Sequence, residues 1–167
     1  DEHYYFKNLS VQNGLSQNTV NTILQDKQGF MWFGTKDGLN RYDGLSFRKF
    51  KHDDRSQRSI GNNFITALYE DEKGSIWVGT DVGLYIYYPE HDSFRHFEEL
   101  SVEDTKIEHT VTAIVGDDQG CVWIAVESQG LFCYDLEKER LQNYTLKNFP
   151  FISTNVQSFV FDNSGTL

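Results

Sequence analysis

With 167 residues, 25 acidic against 15 basic side chains and a formal charge of −10, the chain is long enough for one domain with a sizeable core. That charge balance argues against partners that reward basic patches, so neither nucleic acid nor an anionic membrane surface is expected. No apolar run approaches the roughly 20 residues of a membrane span, and the start, Asp1-Glu2-His3-Tyr4-Tyr5-Phe6, has neither the basic region nor the apolar core of a signal peptide. A cytosolic chain and a mature exported domain both fit this composition.

Taken in order, residues 4–9 (YYFKNL) read as a strand, because they resemble FRKFKH at 47–52 and FRHFEEL at 94–100. Phe6 also stands 14 residues before Val20, as Phe97 stands 14 before Val111. A short apolar run follows at Val20 to Leu24, then Asp26-Lys27-Gln28-Gly29, whose Asp bonds its own backbone two residues on and whose Gly supplies a positive φ. A strand centred on Trp32, a second turn at Gly38, a strand carrying Leu39 and Tyr42, and a strand carrying Phe47 and Phe50 complete a four-stranded unit at 18–50.

The unit then returns. Ile65 to Tyr69, Asp71, Gly74, Trp77, Gly83, Leu84, Tyr87, Phe94 and Phe97 repeat it at 63–97. Val111 to Val115, Asp117, Gly120, Trp123, Gly130, Leu131, Tyr134, Leu141 and Tyr144 repeat it at 109–144, with one residue added and Ala125-Val126 in place of Gly-Thr. A fourth copy opens at 155–167, and Asp26, Asp71, Asp117 and Asp162 lie 45, 46 and 45 residues apart.

A period of this length with four strands per copy predicts an all-β fold of antiparallel propeller blades, stacked through their large aromatic side chains. Three whole units fall short of the roughly four to eight blades of a closed ring. An incomplete ring, belonging to a longer protein with its next Trp at position 168, is therefore expected. Its open edges predict self-association into a homo-oligomer. The charged links at 51–63, 98–109 and 145–155 read as solvated loops.

The recurring Asp-x-x-Gly, Trp-x-Gly-Thr and Gly-Leu-x-x-Tyr, clearest over Asn13 to Phe47, resemble the two-component regulator propeller repeat. The resemblance implies the periplasmic sensor region of a hybrid two-component histidine kinase. Such a region works as a dimer, responds to oligosaccharides and precedes an immunoglobulin-like domain, a membrane span and a cytoplasmic kinase. No cofactor is implied, and the kinase machinery lies outside these residues.

Candidate ligand residues follow from the blade plan. Asn18, Asn63, His109 and Asn155 open the first strands, beside turns carrying Asp37, Asp81 and Glu127. Amides, an imidazole and carboxylates there suit sugar hydroxyls, although the same residues also serve to end strands. Metal binding is not expected, because Asp26-Lys27-Gln28-Gly29 and Asp71-Glu72-Lys73-Gly74 lack the alternating oxygen ligands of a calcium loop, and His91 and His96 match no zinc motif. Cys121 is expected opposite the region of Leu136, so a disulfide with Cys133 is not expected. The rival readings are a propeller glycosidase or lyase, whose two carboxylates would come from different blades, and an interaction scaffold.

Overall fold

A computed structural model describes residues 5–99, 106–144 and 156–161. Within them lie three four-stranded antiparallel sheets, each a sequential meander. Blade 1 comprises β1 (Val20–Gln25), β2 (Met31–Thr35), β3 (Gly38–Tyr42) and β4 (Phe47–Phe50). Blade 2 comprises β5 (Ile65–Glu70), β6 (Ile76–Thr80), β7 (Leu84–Tyr88) and β8 (Ser93–His96). Blade 3 comprises β9 (Val111–Gly116), β10 (Cys121–Val126), β11 (Gly130–Asp135) and β12 (Arg140–Tyr144). This is the all-β blade architecture that the repeat predicts, and the three sheets form no closed ring. Among the described residues no helix is long and apolar enough to cross a membrane.

The first hairpin of each blade is fixed by one side chain. Asp26 Oδ1 accepts from the amides of Gln28 (3.0 Å) and Phe30 (2.9 Å), while its Oδ2 accepts from Trp32 Nε1 at 2.7 Å. Asp71 does the same with Lys73, Ser75 and Trp77, and Asp117 with Gln119, Cys121 and Trp123. The glycines closing these turns, Gly29, Gly74 and Gly120, have φ of 90°, 83° and 81°, where a side chain would be strained. One carboxylate thus satisfies two amides of the turn and orients the indole that fills the seam to the next blade.

Each seam is an aromatic stack. Trp32 meets Phe50 at 5.6 Å and, across the seam, Tyr87 at 5.5 Å. Trp77 meets Phe97 at 5.8 Å and Tyr134 at 5.6 Å. Burial pushes the phenols of Tyr87 and Tyr134 up to about 12. Ile60 and Ile107, from the links ahead of β5 and β9, plug the two seams at 0% and 2% exposure, so these links are part of the core as well as surface connections.

The innermost strands carry a second device. Register slips between Val20 and Thr22 and between Ile65 and Ala67 place Asn21 and Thr66 in bulges, which turn a side chain out of its own ladder. Asn21 Nδ2 donates to Ile65 O at 2.8 Å, Thr66 Oγ1 to Val111 O at 2.6 Å and Thr112 Oγ1 to Val156 O at 2.5 Å. Blades 1 and 2 are therefore each stapled to the first residue of the next inner strand, and blade 3 to the backbone at Val156.

Two strand expectations need correction or comment. Phe97 does not belong to the fourth strand: β8 ends at His96 and Phe97–Glu99 form a 3-10 turn, because the chain must leave the sheet for the link to β9 while keeping Phe97 against Trp77. Residues 5–9 carry no strand, since a strand needs a partner ladder, and Tyr5 and Phe6 stand 94% and 97% exposed. Tyr4, the residues 100–105, 145–155 and 162–167 lie outside the described residues.

At the rim of the first seam Arg48 Nη2 holds both carboxylate oxygens of Asp92 (2.7 and 2.6 Å), and Tyr87 OH donates to Asp92 Oδ1 at 2.9 Å. The Arg48 bond, then the Tyr87 bond, hold the Asp92 carboxyl below the usual range. A depressed folded pKa contributes stability that is present above the unfolded carboxyl value and is lost as pH falls through the folded one. Because both side chains are about half exposed, the contribution to stability is small. NMR titration is expected to show Asp92 protonating below ordinary aspartates, and Arg48→Gln to move it back towards them; an unchanged value in that variant would refute the clamp.

Candidate functional site

The turns between second and third strands and the links entering the first strands meet along one edge of the blades. Thr35 and Thr80 build the first two of these turns: Thr35 Oγ1 donates to Gly38 O at 2.9 Å and accepts from Asp37 N, and Thr80 Oγ1 donates to Gly83 O at 3.0 Å and accepts from Val82 N. In blade 3, Val126 cannot do this. The loop widens to Glu127-Ser128-Gln129, with Ser128 at φ 61° and Gln129 N donating to Val126 O, the geometry of a three-residue hairpin.

A chain of backbone bonds then ties this edge together. Gly38 N donates to Asn63 O (2.7 Å), Asp81 N to Phe64 O (3.1 Å), Gly83 N to His109 O (3.5 Å) and Glu127 N to Thr110 O (2.8 Å). Thr110 Oγ1 adds a bond to Asp81 O at 3.3 Å. Five sequence candidates, Asp37, Asn63, Asp81, His109 and Glu127, are thereby strung along one belt.

Their side chains differ in what they are free to do. Asn18 Oδ1 accepts from Val11 N at 2.9 Å and Asn63 Oδ1 from His52 N at 2.7 Å, so both acceptors hold incoming backbone. Asp37 Oδ2 is bound to Lys51 Nζ at 2.6 Å. His109 and Glu127 are exposed, and Asp81 Oδ1 is buried with no donor among the described residues. Asn155 lies outside the described residues. Of the belt, His109 and Glu127 therefore present their side chains to solvent, while Asp81 keeps one carboxylate oxygen inside. Among the described residues no group of three or more His, Cys, Asp or Glu is placed to hold a metal ion.

Sequence reasoning missed the Asp-to-indole clasp and the bulge staples. The spacing Asp-x5-Trp was visible, and so was a polar residue second in each inner strand; neither pattern announces its partner. The cysteines are both free thiols, with Cys121 paired to Asp135, next to Leu136. Burial, then the hydrogen bond that Cys133 donates to Cys121, push the Cys133 thiol far up, and burial also raises Cys121. Alkylation by iodoacetamide at neutral pH is expected to be at least about tenfold slower in the folded chain than in urea, since the thiolate is the reactive form. Equal rates would contradict these environments.

Comparison with known proteins bears on the same features. The pattern of the family described as "Two component regulator propeller" matches residues 14–37 and 59–82. Histidine kinase P4 of Formosa agariphila is 40% identical over 60 residues, 36% of this chain and 4% of that protein. A solved structure described as the extracellular domain of the hybrid two component system BT3049 from B. thetaiotaomicron matches with a TM-score of 0.78 and 30% identity over 89% of this chain. The extracellular domain of BT4673 from the same organism matches with a TM-score of 0.72 over 92% of the chain, and at 22% identity that likeness speaks for the fold alone. This chain spans 21% and 20% of those two chains. With its four-stranded blades, its Asp-x-x-Gly, Trp-x-Gly-Thr and Gly-Leu-x-x-Tyr elements in register, and these matches, the chain carries repeats of the two-component regulator propeller type.

Proposed function

We propose that this chain is part of the periplasmic ligand-sensing propeller of a hybrid two-component sensor histidine kinase, and that the sensor detects oligosaccharides. The likeness to the BT3049 extracellular domain, over 89% of this chain, carries the reading, and the match to a histidine kinase supports it. The ligand sits on the belt, where Asp81, His109 and Glu127 offer a carboxylate, an imidazole and a second carboxylate to sugar hydroxyls. These blades do no chemistry; the kinase lies elsewhere in the parent. Ligand favours one arrangement of two sensor protomers by differential affinity for the two states.

The test is calorimetric screening of the parent's whole extracellular region against oligosaccharides, followed by Asp81→Asn, His109→Ala and Glu127→Gln. One saccharide is expected to bind saturably and to change the dimer arrangement seen by small-angle scattering, and each variant to weaken it by about tenfold, the value of one good hydrogen bond. Silence towards every saccharide, with a protein partner retained, would replace sensing of sugars with an interaction role. Hydrolysis of the saccharide would make the region an enzyme.

A further inference from the structure

The two seams are built on one plan, and one of them carries its own cation. In the first, the guanidinium of Arg41 lies 4.6 Å from the Phe30 ring and 5.7 Å from the Trp32 ring. It is also close enough to Asp92 to help lower that carboxyl. The cation is thus enclosed by the indole, a second aromatic ring, the phenol of Tyr87 across the seam and a carboxylate at the rim.

In the second seam the enclosure recurs without the cation. Trp77, Tyr134 and Glu139 take the places of Trp32, Tyr87 and Asp92, and even the positive φ at the acidic position is kept, 49° for Asp92 and 52° for Glu139. The indole and the phenol face each other at 5.6 Å, against 5.5 Å in the first seam. Register puts Ile86 opposite Trp77 where Arg41 stands opposite Trp32, and Ser75 follows Asp71 at the spacing by which Phe30 follows Asp26. Both replacements are smaller or uncharged, and a cavity of about 190 Å³ remains. Tyr88 restores an aromatic wall, and Glu139 is exposed at its rim.

We infer that this seam cavity between blades 2 and 3 binds a small guanidinium-bearing organic cation from solution, stacked against Trp77 and Tyr134 with Glu139 as its counter-charge. Guanidinium is weakly hydrated and stacks on aromatic faces, so it gains where an ammonium would lose more hydration. The surroundings favour it. A neighbouring cavity of about 410 Å³ adds Glu72, Asp118 and Glu137, and Lys73, which lines both cavities, has its Nζ engaged on Leu136 O at 3.2 Å. Asp71 supplies no free oxygen, because its two are used by the turn and the indole. Arg95, the counterpart of Arg48, is directed to the Tyr88 ring at 5.9 Å and makes no ion pair with Glu139, so the position next to Glu139 is left to a ligand. The inference is independent of the sensing role, since the cavity lies at the Asp-x-x-Gly turns, away from the belt.

The test follows the three indole N–H signals of the 167-residue chain by NMR while methylguanidinium chloride is added, with methylurea as the uncharged analogue and sodium chloride as the ionic-strength control. The Trp77 signal is expected to shift saturably with methylguanidinium alone, Trp32 to stay in place, and Glu139→Gln to weaken binding by about tenfold. Ile86→Arg, which supplies the cation from the chain as blade 1 does, is expected to abolish the shift; Ile86→Met is the folding control and should retain it. A linear response shared by all three indoles, an equal response to methylurea, or binding that survives both Glu139→Gln and Ile86→Arg would overturn the site.

Discussion

Asp71→Ala is expected to destabilise the chain by about 3 kcal/mol, because it leaves buried donors without their acceptor. Asp71 is 3% exposed and accepts from two turn amides and the Trp77 indole, with Ser75 and Trp77 themselves buried. Asp71→Asn separates the contributions. Its carbonyl still serves the turn, while its amide group now confronts the indole N–H, so a smaller loss of about 1–2 kcal/mol is expected. Trp77→Phe removes the indole donor at the cost of some packing. In a double-mutant cycle the two substitutions should couple by about 1 kcal/mol, whereas Asp71→Asn with the distant Trp32→Phe should be additive. Urea unfolding with an unchanged m-value is the measurement. Additivity of the Asp71–Trp77 pair would show the clasp to be a bystander of turn formation.

Gly79→Ala is the second substitution with a large expected effect, about 2–3 kcal/mol through overpacking. A methyl built on Gly79 would lie 2.6 Å from Val111 Cγ1, 2.8 Å from Val111 Cβ and 3.2 Å from Ala67 Cβ. Val111 is the first residue of β9 and is stapled to Thr66, so it cannot withdraw without opening the seam. Val111→Ala is therefore expected to rescue little, because its Cβ remains in the way. Full rescue by that change would mean that the inner strands slide more freely than the staple allows. Gly34 makes the same close approach to Ile65 at 2.6 Å, which gives the Gly of Trp-x-Gly-Thr its physical meaning. It is the crossing point where the next blade's inner strand comes nearest.

Much of this was legible in the chain itself. The apolar runs at Val20, Ile65 and Val111 became β1, β5 and β9, each one residue longer than the run, because the strand continues until the clasping Asp turns it. The Gly positions of the turns and the aromatic positions of the stack could be read by counting from one Asp to the next, since a repeat states its own register. The candidate belt was legible only as a set of positions. Asn18 and Asn63 look like free amides in the sequence and are acceptors for backbone in the fold. The difference between the two seams was not legible at all: Arg41 and Ile86 sit at equivalent counts, but whether either fills a space depends on the neighbouring blade.

By itself the sequence determined the blade, because period, turn glycines and alternating apolar residues are local and each restricts φ, ψ or facing without reference to anything distant. Only the tertiary structure decided what the polar residues of the inner strands do, since their partners lie 44 or 45 residues away in the chain, as for Asn21 with Ile65 and Thr66 with Val111. A hydrogen bond is a property of two positions in space. The repeat supplies one of them, and stacking of the blades supplies the other.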